Sequence, residues 1–155
     1  MLNIISLGLF DKKDISVRGL EICKECDELF LEKYTNYFDS GAKELEKFIG
    51  KEIKEIMREE LENKSDEIIN KAKEKSIGIL VPGDCFSATT HFSLLLDAKK
   101  EGIKVRIIHG SSVLTAIGEA GLSLYNFGKT STIPFDNKNI KSPIEVMENN
   151  RKLGM

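Results

Sequence analysis

The stretch Val81–His91 (VPGDCFSATTH) separates a short apolar run, Ile77–Leu80, from a helical pattern over Phe92–Lys100. Pro82 and Gly83 stop a strand, and Asp84 sets a carboxylate at its carboxyl end. Ser87, Thr89 and Thr90 offer hydroxyls and a cap for the helix that follows. A strand that passes into a helix and then into another strand needs a crossover, and crossovers give parallel strands with right-handed connections. This turn therefore commits the chain to an α/β fold and marks where such a sheet binds ligands.

The same alternation runs along the rest of the chain. Leu2–Leu7 (LNIISL) reads as a buried strand ended by Gly8. Val17, Leu20, Cys23 and Cys26 recur every three residues, which puts one apolar face on a helix within Ile15–Cys26. Leu29–Leu31 follows as a second strand, Tyr34–Ser40 as an aromatic and polar loop and Ala42–Ile49 as a helix; Glu52–Met57 fits strand and helix alike, with a short strand the preferred reading. In the charge-rich Arg58–Lys75, a break near Asn63 precedes a helix capped by Ser65, with Asp66 and Glu67 in its first turn. The pattern of Thr90–Lys100 is helical, Glu101-Gly102 stops it, and Lys104–Ile108 (KVRII) is the next strand. His109–Ser112 forms the turn beyond, and Val113–Ala120 begins another helix. Thr130–Pro134 reads as a last strand or extended piece and Phe135–Lys141 as polar linker. Ser142, Pro143 and Glu145 form a capping box that opens a helix to Leu153. The expected architecture is a parallel sheet with helices on both faces over residues 1–134, followed by a linker and helix over 135–155.

Composition narrows the function classes. With 155 residues, 41% of them apolar and 31% charged, the chain has material for one core of ordinary domain size. A net charge of −2 carries no basic excess for nucleic acid. The apolar amino end, Met1–Phe10, has no basic flank or small-residue cleavage site, and no apolar run is long enough to cross a bilayer. A cytoplasmic location without a membrane partner is expected. Three cysteines do not make a disulfide framework.

Two small, polar strand-end loops, Gly83–Thr90 and Gly110–Ser112, are expected above neighbouring strands, with Gly8 and Leu9 as a third wall. Together they suit a nucleoside-like ligand, held by hydroxyls and backbone N–H groups. The first loop, SLGLFD, lacks the G-x-G-x-x-G spacing, which argues against a nicotinamide cofactor. Asp84 alone reads equally well as a ligand carboxylate and as a turn former. Cys23 and Cys26 have redox or zinc spacing but lie on the apolar face of a helix. Only Cys85, His91 and His109 could complete a metal site with them, so a buried structural role is the stronger reading and no metal is assigned. Cys85 as a nucleophile, and His91 or His109 as a base, weigh less than packing or capping roles. Tyr34, Tyr37 and Phe38 read as packing over the sheet end.

Five segments, in order and spanning nearly the whole chain, carry a resemblance: ISLGLFDKKDISVRGLE, LFLEKYTNY, GDCFSATTH with LLLDAKKEGI, VRIIHGSSVLTAIGEAGLSLYNFGKT, and SPIEVMENNRKLGM. They resemble the diphthine synthase family, S-adenosylmethionine-dependent methyltransferases of diphthamide formation within the tetrapyrrole methylase-like group. The resemblance implies the parallel-sheet amino-terminal domain of that fold. Carried over residue by residue, the family's cofactor contacts fall on Leu9, Asp84, Ser87, Ser112 and Val113. It further implies S-adenosylmethionine as cofactor, S-adenosylhomocysteine as product, no metal, and a homodimer. The implied reaction is methyl transfer to the amino nitrogen of a modified histidine on elongation factor 2. No general base is assigned.

Two departures from the family pattern bear on this. Gly83-Asp84-Cys85 stands where the family usually has Gly-Asp-Pro, and without the proline the turn is less rigid. Family members also continue past the equivalent of Asn150–Met155 into a second domain that supplies the other wall of the cleft. The 155 residues alone are therefore expected to have weak or no activity, and to expose an apolar strip where that domain packs. A non-catalytic cofactor-binding or dimerisation module of the same fold is the alternative. A methylase of corrin or porphyrin rings is disfavoured by the ATTH and YNFGKT segments.

Overall fold

The apolar runs form the strands of one five-stranded, all-parallel sheet, as the crossover argument requires. In chain order the computed structural model has β1 (Leu2–Ser6), α1 (Val17–Glu25), β2 (Glu28–Glu32), α2 (Ala42–Ile49) and β3 (Ile53–Ile56). A π-helical turn (Glu59–Asn63), α3 (Ser65–Glu74), β4 (Ile77–Val81), α4 (Phe92–Lys100), β5 (Val105–Ile108), α5 (Val113–Ala116) and α6 (Ser142–Lys152) follow. The structure describes residues 1–34, 37–63, 65–87, 89–133 and 138–155, with all their side chains except those of 62 and 63.

The strand order is β3-β2-β4-β1-β5. Side chains alternate between the two faces of the sheet, as the strand period requires. On one face Leu2, Ile4, Phe30, Ile77, Ile79 and Val81 pack against α3 and α4. On the other Ile5, Leu29, Leu31, Ile53, Leu80 and Ile108 pack against α1 and α2. The chain thus moves outward, β1 to β2 to β3, over one face, and returns, β3 to β4 to β5, over the other. β4 therefore lies beside β1 and β2, whose connections leave on the opposite face from its own. Such a switch in direction opens a crevice at the carboxyl ends of the strands.

Two compact units divide the chain at Leu114/Thr115. Met1–Leu114 holds the sheet and both apolar layers. Thr115–Met155 holds a 3₁₀ turn (Ile117–Ala120) closed by Gly121 in the left-handed region, a second turn (Leu124–Asn126) and α6. Within it the Asn150 amide bonds both backbone groups of Lys129, accepting from N at 3.0 Å and donating to O at 2.8 Å.

Several local expectations change. The helix expected over Val113–Ala120 is a single α-turn that tightens into 3₁₀ geometry at Ile117. Thr130–Ile133 forms no strand, which sets aside one of the two alternatives for this stretch, and Pro134 lies outside the described residues. The capping box of Ser142 and Glu145 is not made: Lys141 is the cap residue, without a side-chain bond, and Ser142 is already helical. Ser65 likewise begins α3 inside the helix. α4 starts at Phe92 with His91 at its cap and without a side-chain bond from it, and the Thr89 hydroxyl donates back to the Cys85 carbonyl at 2.5 Å.

Candidate ligand site at the carboxyl ends of the strands

Gly8, after β1, and Gly83, after β4, form an antiparallel bridge, with Gly83 N donating to Gly8 O at 2.7 Å and Gly8 N to Gly83 O at 3.2 Å. Gly8 has φ +83°, and a Cβ there would sit 2.4 Å from the Asp14 Cβ, so glycine is required twice over. Asp14 shapes the rest of this loop by accepting from Leu9 N at 3.1 Å and Phe10 N at 2.8 Å. Gly110, after β5, allows the third loop to close in: its Cβ would lie 2.7 Å from the Ser6 Cβ. The three loops therefore meet, but β1 separates β4 from β5. The Gly83 and Gly110 loops are not over adjacent strands, and Gly8 stands between them.

Asp84 joins two of the loops. Its Oδ1 accepts from Phe86 N at 3.0 Å and from the Ser87 hydroxyl at 3.1 Å. Its Oδ2 accepts from Gly110 N at 3.1 Å and lies 2.9 Å from His109 Nδ1. Burial alone would raise the Asp84 carboxyl, but the bonds from Phe86, His109, Gly110 and Ser87 hold it below the ordinary carboxylate range. It is a charged acceptor at neutral pH, and its bonds to Phe86 N and the Ser87 hydroxyl match the turn-former reading.

Ser87 reaches Asp84, while the Ser112 hydroxyl accepts from Leu114 N at 3.1 Å and is buried. Leu9 and Val113 are 39% and 60% exposed, so their apolar side chains are open to a ligand. Ser6 and Asp14 are supporting residues that sequence reasoning missed, whereas Gly110 opens a loop that it named. Ser6 Oγ accepts from Cys85 N at 2.9 Å, and a lone serine in an apolar strand was the available signal.

His91 does not join this cluster. It is buried over the end of β2, with Nε2 3.6 Å from Glu32 Oε2 and its ring 6.3 Å from that of Tyr34. Tyr34 also carries Arg58 over its face, and Phe38 packs on the core, whereas Tyr37 is exposed. Cys23 and Cys26 are buried at the opposite, amino end of the sheet. Burial, with the neighbouring Cys26, pushes the Cys23 thiol up to about 12. Cys26 Sγ accepts from Asn3 Nδ2 at 3.4 Å. The C-x-x-C pair is structural and cannot share an ion with Cys85.

A doubly wound parallel sheet, with glycine loops and a charged carboxylate at its switch point, defines a class of α/β domain whose crevice lies at the carboxyl ends of the strands. The chain belongs to the Tetrapyrrole (Corrin/Porphyrin) Methylases, whose family pattern matches residues 1–152. It is 45% identical over 154 residues to a protein named diphthine synthase from Archaeoglobus fulgidus, covering 99% of this chain and 61% of that one. It is 46% identical over 158 residues to diphthine methyl ester synthase of Saccharomyces cerevisiae, covering all of this chain and 53% of the yeast protein. A crystal structure of diphthine synthase superposes with a TM-score of 0.93 at 44% identity, over 98% of this chain and 60% of that one. The chain thus spans a little over half the length of these relatives. No described helix is long and apolar enough to cross a membrane.

Proposed function

We propose that this chain supplies the cofactor-binding part of an S-adenosylmethionine-dependent methyltransferase of diphthamide formation. Its acceptor is the amino nitrogen of a modified histidine on elongation factor 2, and it works in the cytoplasm as a homodimer, without nucleic acid or membrane. The observation that carries the reading is the meeting of three strand-end loops around a charged Asp84 in a chain this similar to diphthine synthases. Residues 1–134 are the proposed cofactor-binding part and 135–155 the connection to the rest of such an enzyme.

The donor set suits the cofactor. Asp84 is an anionic acceptor that matches ribose hydroxyls and the cofactor's positive charge, while Leu9 and Val113 offer apolar surface for a purine. Ser87 and Ser112 add hydroxyls at the edges of two loops. Both Asp84 oxygens already accept two bonds each, so a ligand must displace the more mobile donors, Ser87 or His109, while Phe86 N and Gly110 N keep the carboxylate aimed. The bound cofactor supplies an electrophilic methyl on a positively charged sulfur. The chain's own contribution is to hold the donor by its nucleoside end and fix its orientation, and transfer additionally needs water excluded from the opposite side.

Titration calorimetry with S-adenosylmethionine tests this. The 155-residue chain is expected to bind with a Kd above about 10 μM, and Asp84→Ala to lose binding. No heat at millimolar ligand would remove the cofactor reading. Submicromolar binding would instead contradict the view that these residues form only one wall of the cleft.

A further inference from the structure

Asp84, Cys85 and His109 bring a carboxylate, a thiol and an imidazole together, and the proposed methyl transfer uses neither the thiol nor the imidazole. Their ligand atoms all lie within 4.8 Å of one another. Two of the three groups are already fixed: Phe86 N and Gly110 N aim the Asp84 carboxylate, and the bond from Cys85 N to Ser6 Oγ anchors the thiol's backbone. The third is free to adjust, because the His109 side chain is 67% exposed. Zinc bonds of about 2.0–2.3 Å place the ligand atoms of one tetrahedral ion about 3.3–3.7 Å apart, so an ion bound here requires side-chain rotation within a cluster whose ligand atoms already lie within 4.8 Å of one another.

We propose that Asp84, Cys85 and His109 form a site for a thiophilic divalent cation of the zinc type, on the floor of the strand-end crevice, with one position open to water. A sulfur, nitrogen and oxygen donor set selects such an ion over magnesium or calcium, which take oxygen ligands throughout. On binding, the Cys85 S–H bond is replaced by a sulfur–metal bond and the proton passes to solvent. The His109–Asp84 hydrogen bond is exchanged for two metal bonds, with the neutral imidazole binding through the lone pair of Nδ1 and carrying its one proton on Nε2. The site depends on Cys85, which stands where the resembled family usually carries proline, so it is particular to chains with this substitution. Because the ion and the proposed cofactor share Asp84, they exclude one another; this second part rests on the cofactor reading above.

Cobalt(II) is the probe. Titration of the protein is expected to give one ion per chain, with a near-ultraviolet thiolate-to-cobalt band and visible d–d bands. Cys85→Ser, which keeps the backbone donor to Ser6, should abolish the thiolate band. His109→Ala should weaken binding at least tenfold, and both variants should retain the circular dichroism of the wild type. Absence of the band at millimolar cobalt overturns the site. So does a band that survives in Cys85→Ser and disappears when Cys23 and Cys26 are replaced. Stoichiometric zinc should raise the Kd for S-adenosylhomocysteine at least tenfold in the wild type and leave it unchanged in Cys85→Ser. If S-adenosylhomocysteine does not bind at all, the cofactor reading fails and the cobalt band still decides the metal site.

Discussion

Met1–Leu114 and Thr115–Met155 are built from similar residue types and reach very different burial. The first unit sandwiches its sheet between two dry apolar layers. Among the described residues of the second, none is buried, and Ile117, Leu122, Tyr125, Ile144, Met147 and Leu153 are exposed. The first unit is held by long-range packing of strands against helices. The second shows polar devices such as the Gly121 turn and the Asn150 clamp on Lys129 in place of an apolar layer. The difference shows that apolar content does not make a core. Side chains must converge from elements distant in sequence, and parallel crossovers achieve that where successive turns do not.

The largest expected effect that would break this comparison is on folding free energy. Leu80→Ala, in the fully buried centre of β4, should cost about 3–5 kcal/mol in urea unfolding, while Ile144→Ala in α6 should stay within about 0.5 kcal/mol. Equal costs would mean that the second unit carries a core of its own. Next, Gly110→Ala drives a methyl into Ser6 and should cost about 1–3 kcal/mol, with a further loss of affinity for S-adenosylmethionine, because the loop that bonds Asp84 is displaced. Retained affinity would show that this loop does not shape the site.

Limited trypsin digestion sharpens the contrast kinetically. The first cuts should fall at Lys129, Lys138, Lys141, Arg151 or Lys152, before any in Met1–Leu114. Early cleavage in α1 or α3 would reverse the ranking.

The smallest effect is acid dependence at the amino end of the sheet. Bonds from Lys75 first, then Lys71 and, more weakly, Lys54 pull the Glu28 carboxyl down to about 2. Its folded value lies below its ordinary one of 4.5, so its contribution is present above that pH and disappears as pH falls toward 2. Glu28→Gln should flatten the stability profile over that window and leave it unaltered near neutrality apart from a small offset. The effect is modest because the three lysines are about half exposed. An unchanged slope would show that the lysine cluster leaves Glu28 unshifted.

Much of the fold was legible because strands and helices announce themselves by period. Four of the sheet strands, and the helices that cover them, lie within a residue or two of where apolar spacing puts them, and at Ile53–Ile56 the structure takes the strand where spacing allowed strand or helix. The turn Val81–His91 was legible as a strand-to-helix turn at the carboxyl end of the sheet, since Pro82-Gly83 and a following helix constrain the backbone locally. Expectations failed at the ends of elements. Ser142 did not cap its helix, the Thr89 hydroxyl bonded back to the Cys85 carbonyl, and Val113–Ala120 tightened after one turn. A hydroxyl such as that of Thr89 can bond more than one nearby backbone group, so its presence before a helix does not fix a cap.

From the residues alone came the parallel α/β class, the position of the strand-end loops and a carboxylate poised among them. Only the tertiary structure decided that β1 runs between β4 and β5, so that Gly8 lies between the other two loops. It also decided that Asp84 accepts from His109 and Gly110, across 25 and 26 residues of chain, and that Cys85 and His109 share its neighbourhood while His91 turns to Glu32. Hydrophobic period is written residue by residue, whereas strand order and hydrogen bonds between loops follow from which apolar faces can be covered together. In Val81–His91 the residues specified a turn with a charged group, and the neighbouring loops determined what that group can hold.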